Sequence, residues 1–262
     1  MKIIPNAAIC YLYYHHPLHA YRIVSSLKLL YNNFLSTWDY PVIILHEGGP
    51  ANNIKRLQQM FPNIKFIFQE IQFDLDYSKD IIDQIPIKFK GHWDKTAFFS
   101  MGYRHMCRLY SGKIFELPII KAAQYLLRID SDSYFYDKMK YDPFAVMQEK
   151  DYLYASVGEG IDDDYVIEGL YETVKKYQPN NPKIGELKYN GTFHTHFDLT
   201  NVQWFIKNYM DYFNYIDKTG NIFIKRWGDA PIKYFGVNLL VPPEKIHMFT
   251  DLPYRHGGNY NV

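Results

Sequence analysis

Cysteine is all but missing: Cys10 and Cys107 are the only two in 262 residues, too few for a disulfide framework and spaced unlike any zinc site, so both read as packed thiols. An excess of one charge is missing as well. Basic residues number 29 and acidic residues 28, interspersed for a net charge of +1, which leaves no broad electropositive face and argues against nucleic acid and anionic lipid as partners. No stretch reaches the ~18 continuous apolar residues of a transmembrane helix. The apolar run at residues 7–14 contains tyrosines and stops at His15, His16 and Pro17 without a small-residue cleavage site, unlike a signal sequence. A soluble, cytosolic protein is therefore expected. There is no internal repeat, no linker, no G-x-G-x-x-G after the first expected strand and no H-E-x-x-H pair. A repeat array, a dinucleotide fingerprint and a zinc protease are set aside.

What is present is apolar and aromatic. Hydrophobic residues make up 47% of the chain, with 25 tyrosines and 18 phenylalanines, enough for one large core without covalent staples. Residues 1–262 are expected to fold as one domain. "AAICYLYY" predicts a buried strand, and in "PLHAYRIVSSLKLLYNNFL" Pro17 suits a helix start while Ile23, Leu27, Leu30 and Phe34 recur at helical spacing. "YPVIILHEG" predicts a second strand, residues 51–61 a helix and "IKFIFQEI" a third strand. Strands alternating with helices imply a mainly parallel α/β sheet covered on both faces. Further on, the pattern predicts a helix over about 95–109, a buried strand at "YLLRID", a short helix opened by Asp142 and Pro143, and a strand at "DYLYASVGE". A helix over 162–176, one capped at Thr200 or Asn201, another in "GDAPIKYFGVNLL" and a last strand at "KIHMF" complete the reading.

Three Asp-x-Asp triplets occur, at Asp74 and Asp76, at Asp130 and Asp132, and at Asp162 to Asp164. A triplet alone says little at this acidic content, so its setting must discriminate. Ligands of open α/β sheets gather outside the carboxyl ends of the strands, and Asp130 and Asp132 directly follow an expected buried strand. Asp162 to Asp164 suit a solvated helix N-terminus. Two close carboxylates repel unless a cation joins them, and Mg2+ or Mn2+ binds one or two carboxylates together with phosphate oxygens. That makes "RIDSD" a candidate diphosphate holder, with capping of a turn as the plainer alternative. His256 of "DLPYRHGGNY" is the best-placed additional ligand, in an expected loop beside two glycines.

In order along the chain, "YRIVSSLKLLYNNFLSTWDYPVIIL", "SMGYRHMCRLYSG", "YLLRIDSDSYFYDKMKYDPFAVM", "YNGTFHTHFDLTNVQWF", "FNYIDKTGNIFIKRWGDAPIKY" and "KIHMFTDLPYRH" resemble the blocks of the fungal-type α-1,2-mannosyltransferases, glycosyltransferase family 15. The resemblance runs from about Asn6 to the C-terminus. It implies a GT-A fold, Rossmann-like, with a nucleotide-sugar half at about 1–160 and an acceptor-side half at about 161–262. It also implies GDP-mannose as donor, a mannoside or other glycan as acceptor, Mn2+ or Mg2+ as cofactor, and retention of anomeric configuration. Residue by residue, Asp130, Asp132 and His256 would hold the metal and Asp198 of "HFD" would stand in the nucleophile's place. Tyr103, Arg104, Arg128, Glu159 and Asp229 would surround the donor.

The chain departs from the family pattern in ways that bear on chemistry. Asp198 is one methylene shorter than the family's glutamate, which leaves open covalent attack or stabilisation of an oxocarbenium-like centre. Ser131 replaces a proline, and Lys233 stands where the family usually has histidine. The family's membrane-anchored stem and cysteine-bearing extension have no counterpart in these residues. Two rival readings follow: the same fold with another nucleotide sugar such as a UDP-sugar, or a glycan-binding module descended from an enzyme.

Overall fold

The computed structural model describes residues 3–14, 16–48, 51–86 and 100–257; His15, His92 and the first residues of the helix expected over 95–109 lie outside them. Along β1 (Ala7–Tyr13) successive side chains face opposite sides, and both sides are buried. Ala7, Ile9, Tyr11 and Tyr13 enter one apolar cluster, Ala8 and Cys10 the other. A strand buried on both faces belongs at the centre of a parallel sheet. β2 (Val42–His46) and β3 (Phe66–Glu70) extend it in parallel on one side, and β4 (Tyr125–Ile129) pairs in parallel on the other.

Seven more strands follow: β5 (Ser133–Phe135), β6 (Tyr154–Ser156), β7 (Glu159–Ile161), β8 (Gly191–Phe193), β9 (Phe197–Asn201), β10 (Ile246–Met248) and β11 (Tyr254–His256). The main sheet runs β10-β6-β9-β4-β1-β2-β3. Within it β9 is antiparallel to both β4 and β6, and β10 is parallel to β6. β5 with β11 and β7 with β8 form two small antiparallel ribbons.

The helices start where their caps dictate. His16 Nδ1 accepts from Leu18 N (3.3 Å) ahead of the Pro17–Leu30 helix, which buries Ile23, Leu27 and Leu30; a π-helical turn at Tyr31–Leu35 then buries Phe34. Asp142 Oδ1 accepts from Phe144 N (3.0 Å), and Asn201 Oδ1, rather than Thr200, accepts from Trp204 N (3.1 Å). The helices Met101–Ser111 and Asp229–Leu240 cover the sheet face that carries Cys10 and Leu126. Both cysteines are buried and free, and burial pushes each thiol up to about 12. No helix among the described residues is long and apolar enough to cross a membrane.

Two expectations change. The helix expected over 162–176 is a 3-10 turn at Asp164–Val166 and a separate helix at Leu170–Tyr177, because Gly169 adopts a left-handed backbone (φ 74°) between them. The chain around His256 is a strand, β11, rather than a loop: its partner β5 is distant in sequence, so no local periodicity announced it.

Candidate functional site

β4 ends at Ile129 and the chain turns at once, Ser133 N donating to Asp130 O (3.1 Å). Asp130 and Asp132 are thereby held on a tight turn at the carboxyl edge of the sheet. β5 then pairs with β11 in the register His256↔Ser133, and Gly257 N donates to Asp132 O (2.9 Å). This pairing carries the His256 imidazole to the turn, Nδ1 lying 3.7 Å from Asp132 Oδ1 and 3.2 Å from Ser133 Oγ. One ligand atom each from Asp130, Asp132 and His256 falls within 4.8 Å of the others. Two carboxylate oxygens and an imidazole nitrogen in that span fit a divalent cation that accepts both donor types, as Mn2+ does.

Arginines hold the carboxylates in place. Arg128 is 4% exposed. It donates from Nε and Nη2 to Asp130 Oδ1 (3.1 and 3.0 Å) and from Nη1 to Asp229 Oδ2, which also accepts from Thr195 Oγ1 (2.9 Å). Arg22 Nη1 lies 3.3 Å from Asp132 Oδ2. Burial raises the Asp130 carboxyl above its ordinary range, with the Arg128 and His256 charges pulling the other way. At Asp229 burial pushes upward too, but the charge and hydrogen bond of Arg128 and the Thr195 hydroxyl outweigh it and the carboxyl falls below its ordinary range.

Asp198 is Arg128's cross-strand partner in the β4–β9 pair, so the two side chains share a sheet face. They do not share a ligand. Arg128 reaches towards the acidic turn, whereas Asp198 Oδ2 accepts from Lys233 Nζ (2.7 Å), both buried, and Asp198 Oδ1 has no hydrogen-bond partner among the described residues. Beside Asp130, Asp132 and His256, the His196 ring stacks on His256 (4.0 Å between centroids, 5° between planes) and on His194 (5.4 Å, 26°). The Tyr254 hydroxyl lies 3.0 Å from His196 Nδ1 and 2.7 Å from Ser133 Oγ. Burial, with smaller contributions from neighbouring cations, lowers His196 to about 2, so its ring is neutral at ordinary pH.

The other expected donor residues are dispersed. Tyr103 opens the Met101–Ser111 helix, its ring lying 4.6 Å below the Arg226 guanidinium. Arg104 is 1% exposed and donates from Nη1 to Phe223 O (2.8 Å), bracing the Asn221–Ile224 helix. Glu159 is exposed on the β7–β8 ribbon. The structure therefore gathers Asp130, Asp132, His256, Arg128 and Asp229, sets Asp198 deeper on the same sheet face, and leaves Arg104 in the packing. Sequence reading missed Arg22, Thr195 and Arg226. Arg226 adopts φ 61°, a region that non-glycine residues seldom occupy; it lies within the quoted "FNYIDKTGNIFIKRWGDAPIKY" block, the one signal available.

A mainly parallel sheet with an acidic turn at the carboxyl edge of a central strand is the architecture of GT-A glycosyltransferases, and solved structures of that class superpose on it. Core-mannan synthase A from Aspergillus fumigatus, in an Mn/GDP form, gives a TM-score of 0.81 over 97% of this chain and 75% of that one at 22% identity. The mannosyltransferase Ktr4p from Saccharomyces cerevisiae, in complex with GDP, gives 0.82 over 96% and 71%, also at 22% identity. These likenesses establish the fold. The family model described as glycolipid 2-alpha-mannosyltransferase matches residues 2–262, and the chain belongs to that family. Its relatives include glycolipid 2-alpha-mannosyltransferase 2 of Candida albicans, 31% identical over 260 residues, or 90% of this chain and 55% of that protein. Another is the O-glycoside alpha-1,2-mannosyltransferase omh1 of Schizosaccharomyces pombe, 34% identical over 173 residues, or 60% of this chain and 44% of that protein. The chain thus spans about half the length of these two relatives.

Proposed function

We propose that this chain is a retaining α-1,2-mannosyltransferase that moves mannose from GDP-mannose to a hydroxyl of a mannoside or other glycan, with Mn2+ as its preferred cation. The observation that carries the reading is the convergence of Asp130, Asp132 and His256 at the carboxyl edge of the sheet, in a chain whose family is named for mannosyl transfer. The Mn/GDP and GDP complexes of the two similar folds support the choice of cation and base. The nucleotide would lie over the half of the chain at about 1–160, and the acceptor would approach from about 161–262.

Asp130, Asp132 and His256 would hold the cation, which when bound would neutralise charge developing on the leaving diphosphate. Arg128 fixes Asp130 and Asp229 relative to each other, so ligand and donor-side carboxylate move as one unit. Asp198 supplies the remaining carboxylate on that face, and Lys233 sets its orientation.

A donor screen read by mass spectrometry tests this. Protein with Mn2+ and GDP-mannose is expected to extend an oligomannoside panel, and Asp130→Ala to abolish the extension. Equal thermal protection by GDP and UDP would instead point to another donor. The buried Lys233–Asp198 pair favours a second reading, a glycan-binding homologue with little turnover; mannoside binding without donor consumption in any metal would select it.

A further inference from the structure

We propose that Arg22 makes cation binding conditional on the nucleotide: its guanidinium offsets Asp132 until an anionic diphosphate draws it away, so that Mn2+ and GDP bind as a coupled pair, a role that rests on the transferase reading above. The place of Arg22 is set by one stripe of the Pro17–Leu30 helix. His19, Arg22 and Ser26 follow one another at intervals of three and four residues and share a helix face. Ser26 Oγ donates to Ser133 O (2.5 Å), and just beyond the helix Asn33 Nδ2 donates to Phe135 O (2.6 Å), which staples this segment along β5. One turn before Ser26 the same face meets the acidic turn: His19 Nδ1 lies 3.5 Å from Ser131 Oγ and Arg22 Nη1 3.3 Å from Asp132 Oδ2. The other oxygen, Asp132 Oδ1, faces His256 Nδ1 at 3.7 Å. Asp132 is thus shared between a positive side chain and the group of donor atoms it forms with Asp130 and His256.

The two arginines at this turn differ in what they can do. Arg128 commits Nε, Nη1 and Nη2 to Asp130 and Asp229 and is buried, so it stays where it is. Arg22 has a side chain 26% exposed and touches the Asp132 carboxylate through Nη1, and its buried Nε has no hydrogen-bond partner among the described residues. A guanidinium presents a fork of N–H donors that matches phosphate oxygens, and Arg22 has donors left over for such a partner. The affinity of carboxylates for a divalent cation depends on the charge they bring. With Arg128 on Asp130 and Arg22 on Asp132, that charge is largely offset, and the carboxylates alone hold Mn2+ weakly. A diphosphate adds negative charge and offers Arg22 a two-oxygen partner in place of its contact with Asp132. Asp132 then turns its full charge to the cation, so each ligand raises the affinity of the other by the same factor.

Titration of the whole chain with Mn2+, with and without GDP, read from the free-ion EPR signal, tests this apart from turnover. In the wild type GDP is expected to tighten Mn2+ binding at least ~10-fold. In Arg22→Gln, Mn2+ alone should bind about three- to tenfold tighter, because a like charge has left the site, while the tightening by GDP shrinks about tenfold. A site merely loosened by the substitution would bind both ligands more weakly. Arg22→Lys keeps the charge but not the fork, so Mn2+ alone should bind as in the wild type and the coupling to GDP fall part of the way. Far-UV circular dichroism reports that both variants are folded. No coupling in the wild type, Mn2+ bound no tighter by Arg22→Gln, or undiminished coupling in both variants overturns the proposal. Coupling that depends on Arg22 without turnover of GDP-mannose would remove the transferase reading and leave the role of Arg22 standing.

Discussion

Lys233 and Asp198 form a buried ion pair, Nζ to Oδ2 at 2.7 Å with side-chain exposures of 2% and 4%. Asp198 stands opposite Arg128 in the β4–β9 register, and Lys233 lies one helical turn after Asp229. Strand and helix thus meet through two crossed pairs, Arg128 with Asp229 and Asp198 with Lys233. Removing one partner strands a charge. Lys233→Met is expected to destabilise the fold by about 3–5 kcal/mol, and the double variant with Asp198→Asn to lie closer to wild type than Lys233→Met alone. A urea-denaturation mutant cycle measures this; additive losses would mean that the two residues act independently.

The convergence of Asp130, Asp132 and His256 makes a quantitative prediction under the proposed function. His256 reaches the acidic turn through β11, so His256→Ala should leave the β4 turn intact while removing one donor. Mn2+ affinity in the presence of GDP, read from the free-ion EPR signal, is expected to fall at least ~10-fold. Chelation of the cation should erase the thermal protection given by GDP. Unchanged affinity in His256→Ala would remove that residue from the site.

Packing around the Asp229–Leu240 helix leaves no room at Gly236. A Cβ there would approach the Tyr212 and Tyr209 rings to 2.4 and 2.5 Å, whereas one at Gly185 meets nothing within 4 Å. Gly236→Ala is expected to cost about 1–3 kcal/mol and Gly185→Ala to stay within about 0.5 kcal/mol of wild type. Thermal unfolding of the two side by side checks the contrast.

His105 supplies a pH dependence away from the site. It stacks on Phe73 (5.1 Å) and meets Phe223 edge-on (4.8 Å), and burial, helped by the Arg108 charge, lowers it from 6.5 to about 4. The unfolded chain therefore binds this proton more readily than the folded one. Its contribution is fully present above about pH 6.5 and is lost as pH falls towards about 4. The urea midpoint should drop less between pH 7 and pH 5 in His105→Phe than in wild type; equal drops would mean that the proton binds elsewhere.

Much of the frame was legible beforehand because it is local. Two-sided burial of β1, the Pro17 and Asp142 helix starts, and the acid pair following a buried strand all follow from neighbouring residues and the periodicity of strands and helices. Asp130 and Asp132 stood out for that reason. Arg104 was picked for its block, yet its guanidinium turns inward to Phe223 O, since a residue's block says nothing of which side of the helix it occupies.

By itself, the order of residues determined a wound α/β sheet, the absence of a disulfide framework, and a pair of carboxylates at a strand's end, because each depends on backbone preference and side-chain polarity over a few positions. Only the tertiary structure decided that His256 joins those carboxylates, that Arg128 ties Asp130 to Asp229, and that Lys233 claims Asp198. Apart from Arg128 with Asp130, those contacts join residues 35 to 126 positions apart, and which of many charged partners meet is settled by strand register and helix docking.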